Sequence, residues 1–227
     1  MTTRLFWRQA AAMAVKDLRL ESRGREALNI VAPFAAMTLL AFGFAFGPGR
    51  EELERAASAF LWLTVLFAGI LAVRRTYDAE AQNGALEGLL ISSADRAAIF
   101  VGKLGALLTV MFSLFLFGVV LVALLFGFAA EPNLGLLAAA GTLGSIGFAT
   151  IGSFYSALAA VARAREALLP LLVLPLVVPL LIAAIRVTDI AIGATSGPAA
   201  GWLRLAIGFD VVSLAACVIG FEYVVEE

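Results

Sequence analysis

Long apolar runs separated by short polar breaks set the pattern of the chain. A bilayer core of roughly 30 Å takes about 20 mostly apolar residues of helix to cross. Six segments reach that length. They are 27–46 ("ALNIVAPFAAMTLLAFGFAF"), 56–73 ("AASAFLWLTVLFAGILAV"), about 104–129, 134–161, 167–185 and 202–221. Turn residues punctuate them: Gly47-Pro48-Gly49 ends the first, and Glu131-Pro132-Asn133 ends the third. The pattern predicts an all-α integral membrane protein with six transmembrane helices, residues 1–227 forming a single membrane domain.

Two spans carry distinctive spacing. In the fourth, Gly141, Ser145, Ala149 and Ser153 recur every four residues. Small side chains on one helix face let a second backbone approach closely, so this stripe predicts helix packing. In the fifth, Pro175 and Pro179 fall on one face within "LLPLLVLPLVVPLLIAAI". Each removes a backbone donor and predicts a helix kink. Residues 186–201, "RVTDIAIGATSGPAAG", are too short to span and too apolar for a free loop. They predict a re-entrant or interfacial excursion.

Outside the spans, residues 3–24 read as an amphipathic helix. Trp7, Ala10, Ala11, Ala14, Val15 and Leu18 follow a helical face, with Arg8, Lys16 and Arg19 opposite. Such a helix lies in the interface, against acyl chains and anionic headgroups of membrane lipids. A charged leader that only fixes topology is the simpler alternative. Residues 74–103 form the other polar stretch. Asp78 and Glu80 precede an Asn83-Gly84 turn, and "ALEGLLIS" then puts Leu86, Leu89 and Leu90 on one face with Glu87 away from them. A short helix of this kind suits a groove on a partner protein. A solvated loop whose leucines fold back on the bundle accounts for it equally well.

Charge then sets the orientation. With six spans and the amino terminus inside, twelve of the sixteen Lys and Arg fall on the cytoplasmic side: Arg4, Arg8, Lys16, Arg19, Arg23, Arg25, Arg74, Arg75, Arg96, Lys103, Arg163 and Arg165. Arg50, Arg55, Arg186 and Arg204 fall outside. This is a positive-inside asymmetry with both termini cytoplasmic. No early apolar core or cleavage site predicts a removed signal peptide.

Composition narrows the chemistry. The chain is 62% hydrophobic and only 15% charged, with a mean hydropathy of +1.00, outside the range of soluble domains. It has no His and one Cys, Cys217. The usual general base and commonest metal ligand are therefore missing, and no metal site is expected. Met37, Met111, Tyr155 and Cys217 could in principle ligate iron, and all read more simply as packing residues in spans. No GxxxxGK[ST] loop binds ATP, and no basic stripe interleaved with aromatics points to nucleic acid. The chain alone reads as a non-catalytic subunit.

The stretch "YDAEAQNGALEGLLIS" resembles the acidic-GxLExLL-S signature of the haem exporter protein B family, the ABC-type permease of the cytochrome c maturation system. "DLRLESRGREALNIVAPF", "FGPGREELERAASAFLWLTVLFAGILA" and "LLVLPLVVPLLI" resemble other family segments in matching order. The chain departs from the family at Ser93-Ala94-Asp95-Arg96, where prolines are common, and at its acidic end "GFEYVVEE". The resemblance implies an ABC-2 exporter-type permease with an amino-terminal interfacial helix, in the bacterial cytoplasmic (inner) membrane. It implies that residues 74–103 hold a coupling helix on which Asp78, Gly84, Leu86, Glu87, Leu89, Leu90 and Ser92 meet a separate ABC ATPase subunit. It further implies a homodimer working with a haem-handling membrane protein and a haem chaperone. ATP-Mg would sit on the ATPase and haem on the partner proteins, with no cofactor bound directly by this chain. Two other readings stay open: an ABC-2 permease exporting another hydrophobic cargo such as a lipid or drug, and a membrane scaffold without energy coupling.

Overall fold

The computed structural model describes residues 3–24, 30–47, 49–82, 96–128, 130–161 and 168–224. Among these the chain forms seven helices and no strand: α1 (Thr3–Gly24), α2 (Ala32–Phe46), α3 (Arg50–Gln82), α4 (Arg96–Leu125), α5 (Leu134–Val161), α6 (Leu168–Ala191) and α7 (Ala200–Val224). Five stretches are long and apolar enough to cross a membrane: Glu51–Arg74, Arg96–Leu125, Leu134–Ala159, Val173–Ala191 and Ala200–Phe221. The remaining expected span, the first at 27–46, corresponds to α2, which is shorter. Its 15 residues extend about 22 Å at 1.5 Å per residue.

Helix limits differ from the hydropathy pattern where polar residues extend a helix beyond its apolar run. The second span was expected to end at 73, yet α3 continues as helix to Gln82. At 33 residues it is about 50 Å long, longer than a bilayer core. Similarly, α4 begins at Arg96, eight residues before the expected 104. The expected loop 74–103 thus contracts to the connection between Gln82 and Arg96. At the opposite end, residues 186–191 continue α6 and 192–199 make a compact connection. The excursion expected over 186–201 is replaced by a tied turn.

That turn is held by the backbone. Ala130 N–H donates to the Ile192 carbonyl (3.2 Å) and Asn133 N–H to the Ala191 carbonyl (2.7 Å), while the N–H groups of Ala194 and Thr195 both donate to the Asp189 carbonyl. Gly193 adopts φ +77° directly against Ala130, where a side chain would be strained and would clash. Asn133 also starts α5: its side-chain oxygen accepts from Leu136 N–H at 3.1 Å, satisfying one of the free donors of a helix start. The Glu-Pro-Asn break in the sequence is therefore a stop for one helix and a cap for the next.

Helix α5 sits centrally, packed by α3, α4, α6 and α7. Its glycines explain how four neighbours fit. A methyl group at Gly141 would meet the Phe115 ring of α4, at Gly144 the Trp62 ring of α3, and at Gly152 the Val73 side chain of α3. Around this contact, Trp62 and Phe115 pack with ring centroids 5.2 Å apart. Phe60 links α2, α3 and the end of α4 by stacking on Phe42 (4.8 Å) and meeting Phe126 edge-on (5.7 Å). Phe100 and Phe221 join α4 to α7. By contrast, much of α7 faces outward, with Val211 and Val212 exposed. Such a surface suits lipid contact in a membrane.

Candidate functional site

The end of the bundle that carries the 83–95 connection is built by α1, the tail of α3 and the head of α4. Helix α1 docks on α4 through Ala10, Met13, Ala14 and Asp17, an i, i+3, i+4, i+7 stripe. The Ala10 carbonyl and the Met13 side chain lie against Gly102, and Ala14 touches the position of a Cβ on Gly105. Beside them Lys103 Nζ donates to Asp17 Oδ2 at 3.3 Å. Lys103 is only 1% exposed. Burial of an ammonium group is costly unless a countercharge and hydrogen bonds accompany it, so this pair fixes α1 to the head of α4.

The docking stripe is rotated from the apolar face expected for α1. Ala10 and Ala14 belong to both, but Trp7, Ala11 and Val15 face outward. Arg4, Arg8 and Arg19 are exposed too. The helix therefore presents one stripe to the protein and a basic stripe with scattered apolar side chains to its surroundings. Hydropathy could not separate these faces, because Ala serves either one.

Of the expected coupling residues, Asp78 lies on the α3 extension beyond Arg74. Gly84, Leu86, Glu87, Leu89, Leu90 and Ser92 lie outside the described residues. Val73, at the foot of that extension, is buried against Gly152 of α5. A displacement of the α3 tail would therefore press on the central helix.

The expected packing stripe of α5, Gly141, Ser145, Ala149 and Ser153, is buried along its whole length. Ser145 borders a void of about 10 Å³ with Trp62, Met111, Phe148, Val177 and Leu180. That is room for at most one water. Among the described residues the hydroxyls of Ser145 and Ser153 have no hydrogen-bond partner. Pro175 and Pro179 lie inside α6, which continues through both to Ala191, and both rings face outward. The carbonyls of 171 and 175 lose their usual intrahelical donor there.

Sequence reasoning missed a second polar group near the opposite end. Trp62 Nε1 donates to Thr188 Oγ1 at 2.9 Å, and that hydroxyl donates to the Ala184 carbonyl at 2.8 Å. Flanking Thr188 on the same helix, Arg186 and Asp189 face each other at 3.8 Å. The buried Trp62–Thr188 bond ties α3 to α6 within an apolar surround, where an unmade hydrogen bond would be expensive. Only the polar letters of "RVTD" hinted at it. Among the described residues, no three His, Cys, Asp or Glu side chains gather at a metal-binding spacing. Met37 is exposed on α2, whereas Met111 is buried beside Gly69.

A family model described as CcmB protein matches residues 8–226, from the first turns of α1 to the end of α7. The chain belongs to the CcmB protein family. Heme exporter protein B of Rhodobacter capsulatus is 32% identical over 172 residues, covering 75% of this chain and 78% of the relative. Heme exporter protein B of Paracoccus denitrificans is 29% identical over a segment of the same length and coverage. The Escherichia coli protein of that name is 30% identical over 104 residues, 45% of this chain and 44% of its own. The CcmB family match embraces both bundle ends: the docked α1, the α3–α4 connection and the tied turns at the other end. With its long apolar helices, the chain is a membrane protein of this family.

Proposed function

We propose that this chain is the permease subunit of an ABC-type complex for cytochrome c biogenesis, coupling ATP hydrolysis by a separate ATPase to haem delivery or to release of a haem-loaded chaperone. The observation that carries the reading is the family match over residues 8–226 together with relatives named for haem export. In this reading α2 is a sixth span, shorter than its neighbours. The bundle lies in the inner membrane with both termini cytoplasmic, as the distribution of Lys and Arg favours. Helix α1 then rests at the cytoplasmic interface with Arg4, Arg8 and Arg19 toward anionic headgroups.

The mechanism is mechanical. The connection between α3 and α4 carries Gly84, Leu86, Glu87, Leu89, Leu90 and Ser92 and docks on the ATPase, with Asp78 at its root. Nucleotide-driven closure of the ATPases pushes that connection and tilts α3 and α4. Helix α1 travels with α4 through the Asp17–Lys103 pair, and α5 receives the push through Val73 against Gly152. ATP and Mg stay on the ATPase, and haem is held by a haem-handling membrane protein and the chaperone. Two copies of the permease complete the complex.

Replacing Leu89 and Leu90 together by Asp tests the docking. The variant is expected to insert in membranes at wild-type level and to lose co-purification of the ATPase in mild detergent. Undiminished recovery of the ATPase would remove the coupling assignment.

A further inference from the structure

Asp210 stands ten residues into α7, about 15 Å from its start at Ala200, near the middle of an apolar span. It is 6% exposed, and among the described residues neither carboxyl oxygen has a hydrogen-bond partner. The carboxyl lies where α7 crosses α5. A methyl group at Gly147 would run into Oδ1 and into the Leu180 side chain of α6. Ser213, one turn on, spends its hydroxyl on the Asp210 backbone carbonyl at 3.2 Å and leaves the carboxyl alone.

Among the described residues, no charged group of the surrounding helices pairs with it. The described stretch of α5 contains no Asp, Glu, Lys or Arg, and its Tyr155 makes an edge contact with Phe154. On α4, Lys103 is engaged with Asp17; on α6, Arg186 faces Asp189. Arg204 of α7 is exposed, and Cys217 is buried further along the same helix. None of these forms a hydrogen bond or ion pair with Asp210. An ionised carboxylate in hydrocarbon normally has a countercharge, a water-filled cavity or several donors. Among the described residues Asp210 has neither a countercharge nor a hydrogen-bond donor.

We infer that Asp210 is a proton-binding site inside the membrane domain, occupied when α7 is closed on α5. The exchange is a simple one: the carboxylate takes a proton from water as the interface closes and returns it to water when the helices part. A metal cation would call for several oxygen ligands, and among the described residues no group of three His, Cys, Asp or Glu side chains gathers that could hold one. The glycine at 147 is what permits so close an approach, since any side chain there would displace the acid. The inference is independent of ATPase docking and survives if that docking fails.

Infrared spectroscopy of the full chain in lipid vesicles tests it. Subtracting the spectrum of Asp210→Asn from that of the wild type at neutral pH is expected to leave a carboxylic-acid carbonyl band that shifts in heavy water. Carboxylate stretching bands in its place would overturn the inference. So would conversion of the acid band to carboxylate on adding sodium chloride, which would make the ligand sodium. If the Asn variant does not accumulate, wild type labelled with carbon-13 at its aspartates gives the same reading. An isotope-shifted acid band at neutral pH that is lost from the labelled set in Asp210→Glu supports the site, and a band that is absent or persists in that variant contradicts it.

Discussion

Single residues at the α1–α4 junction carry more than their polarity suggests. Lys103 is at once a basic residue of the expected cytoplasmic loop and a side chain sealed between two helices, 3.3 Å from Asp17. Breaking such a pair costs about 3–5 kcal/mol, whereas replacing both partners by apolar groups is often close to neutral. A double-mutant cycle with Lys103→Met and Asp17→Leu should therefore be strongly non-additive. Each single change is expected to lower thermal stability in detergent, and the double variant to recover much of the loss. Additive losses would mean that the two groups do not act as a pair. The sequence reading put Lys103 in the polar stretch 74–103, whereas it lies within α4, because a lysine near an apolar run reads the same whether it reaches water or a carboxylate. Asp210 was equally silent. A lone acid within 202–221 was the available signal, and apolar periodicity passes over it.

Among the helices, α5 and α6 separate packing from mechanics. Gly144 sits under the Trp62 ring, while Gly208 of α7 has nothing within 4 Å of an added Cβ. Overpacking a filled interface costs about 1–3 kcal/mol. Gly144→Ala is accordingly expected to lower the melting temperature and Gly208→Ala to leave it unchanged or slightly raised. Equal effects at the two sites would deny α5 its central place in the packing. In α6, Pro175 and Pro179 face outward and fill no interior space. Changing both to Ala restores two backbone donors, so helix stability should rise or hold while cytochrome c maturation falls and ATPase recovery stays constant. Full activity in that variant would show that the prolines have no part in helix movement. The four-residue repeat of small side chains in α5 was visible in the sequence, and all four positions are buried. The α3 tail to Gln82 and the early start of α4 were not, since polar helical turns carry no hydropathy signal. The expected excursion at 186–201 failed for a related reason: "TDIAIG" looks half-apolar because it is half helix and half tied turn.

At the level of the whole molecule, one end of the bundle carries α1, the α3 tail and the 83–95 connection, and the other carries the turns near 130 and 193. This polarity is what the coupling account needs, because force must enter at one end and reach the far turns through α5. The all-helical architecture was readable from length and apolarity alone, since long apolar runs of this kind cross a bilayer as helices, closed barrels being the other solution. The number of spans was less so, as α2 has an apolar composition without the length. In the proposed coupling, the 83–95 connection faces the ATPase from the cytoplasm. The most direct test of this is single-cysteine labelling in a Cys217→Ala background with a membrane-impermeant maleimide on intact spheroplasts. Ser92→Cys is expected to stay unlabelled until the inner face is opened, and then to be shielded when the ATPase is bound. Glu131→Cys, at the opposite end, should label at once. Prompt labelling of Ser92→Cys on intact spheroplasts would put the connection on the outer side and contradict the account.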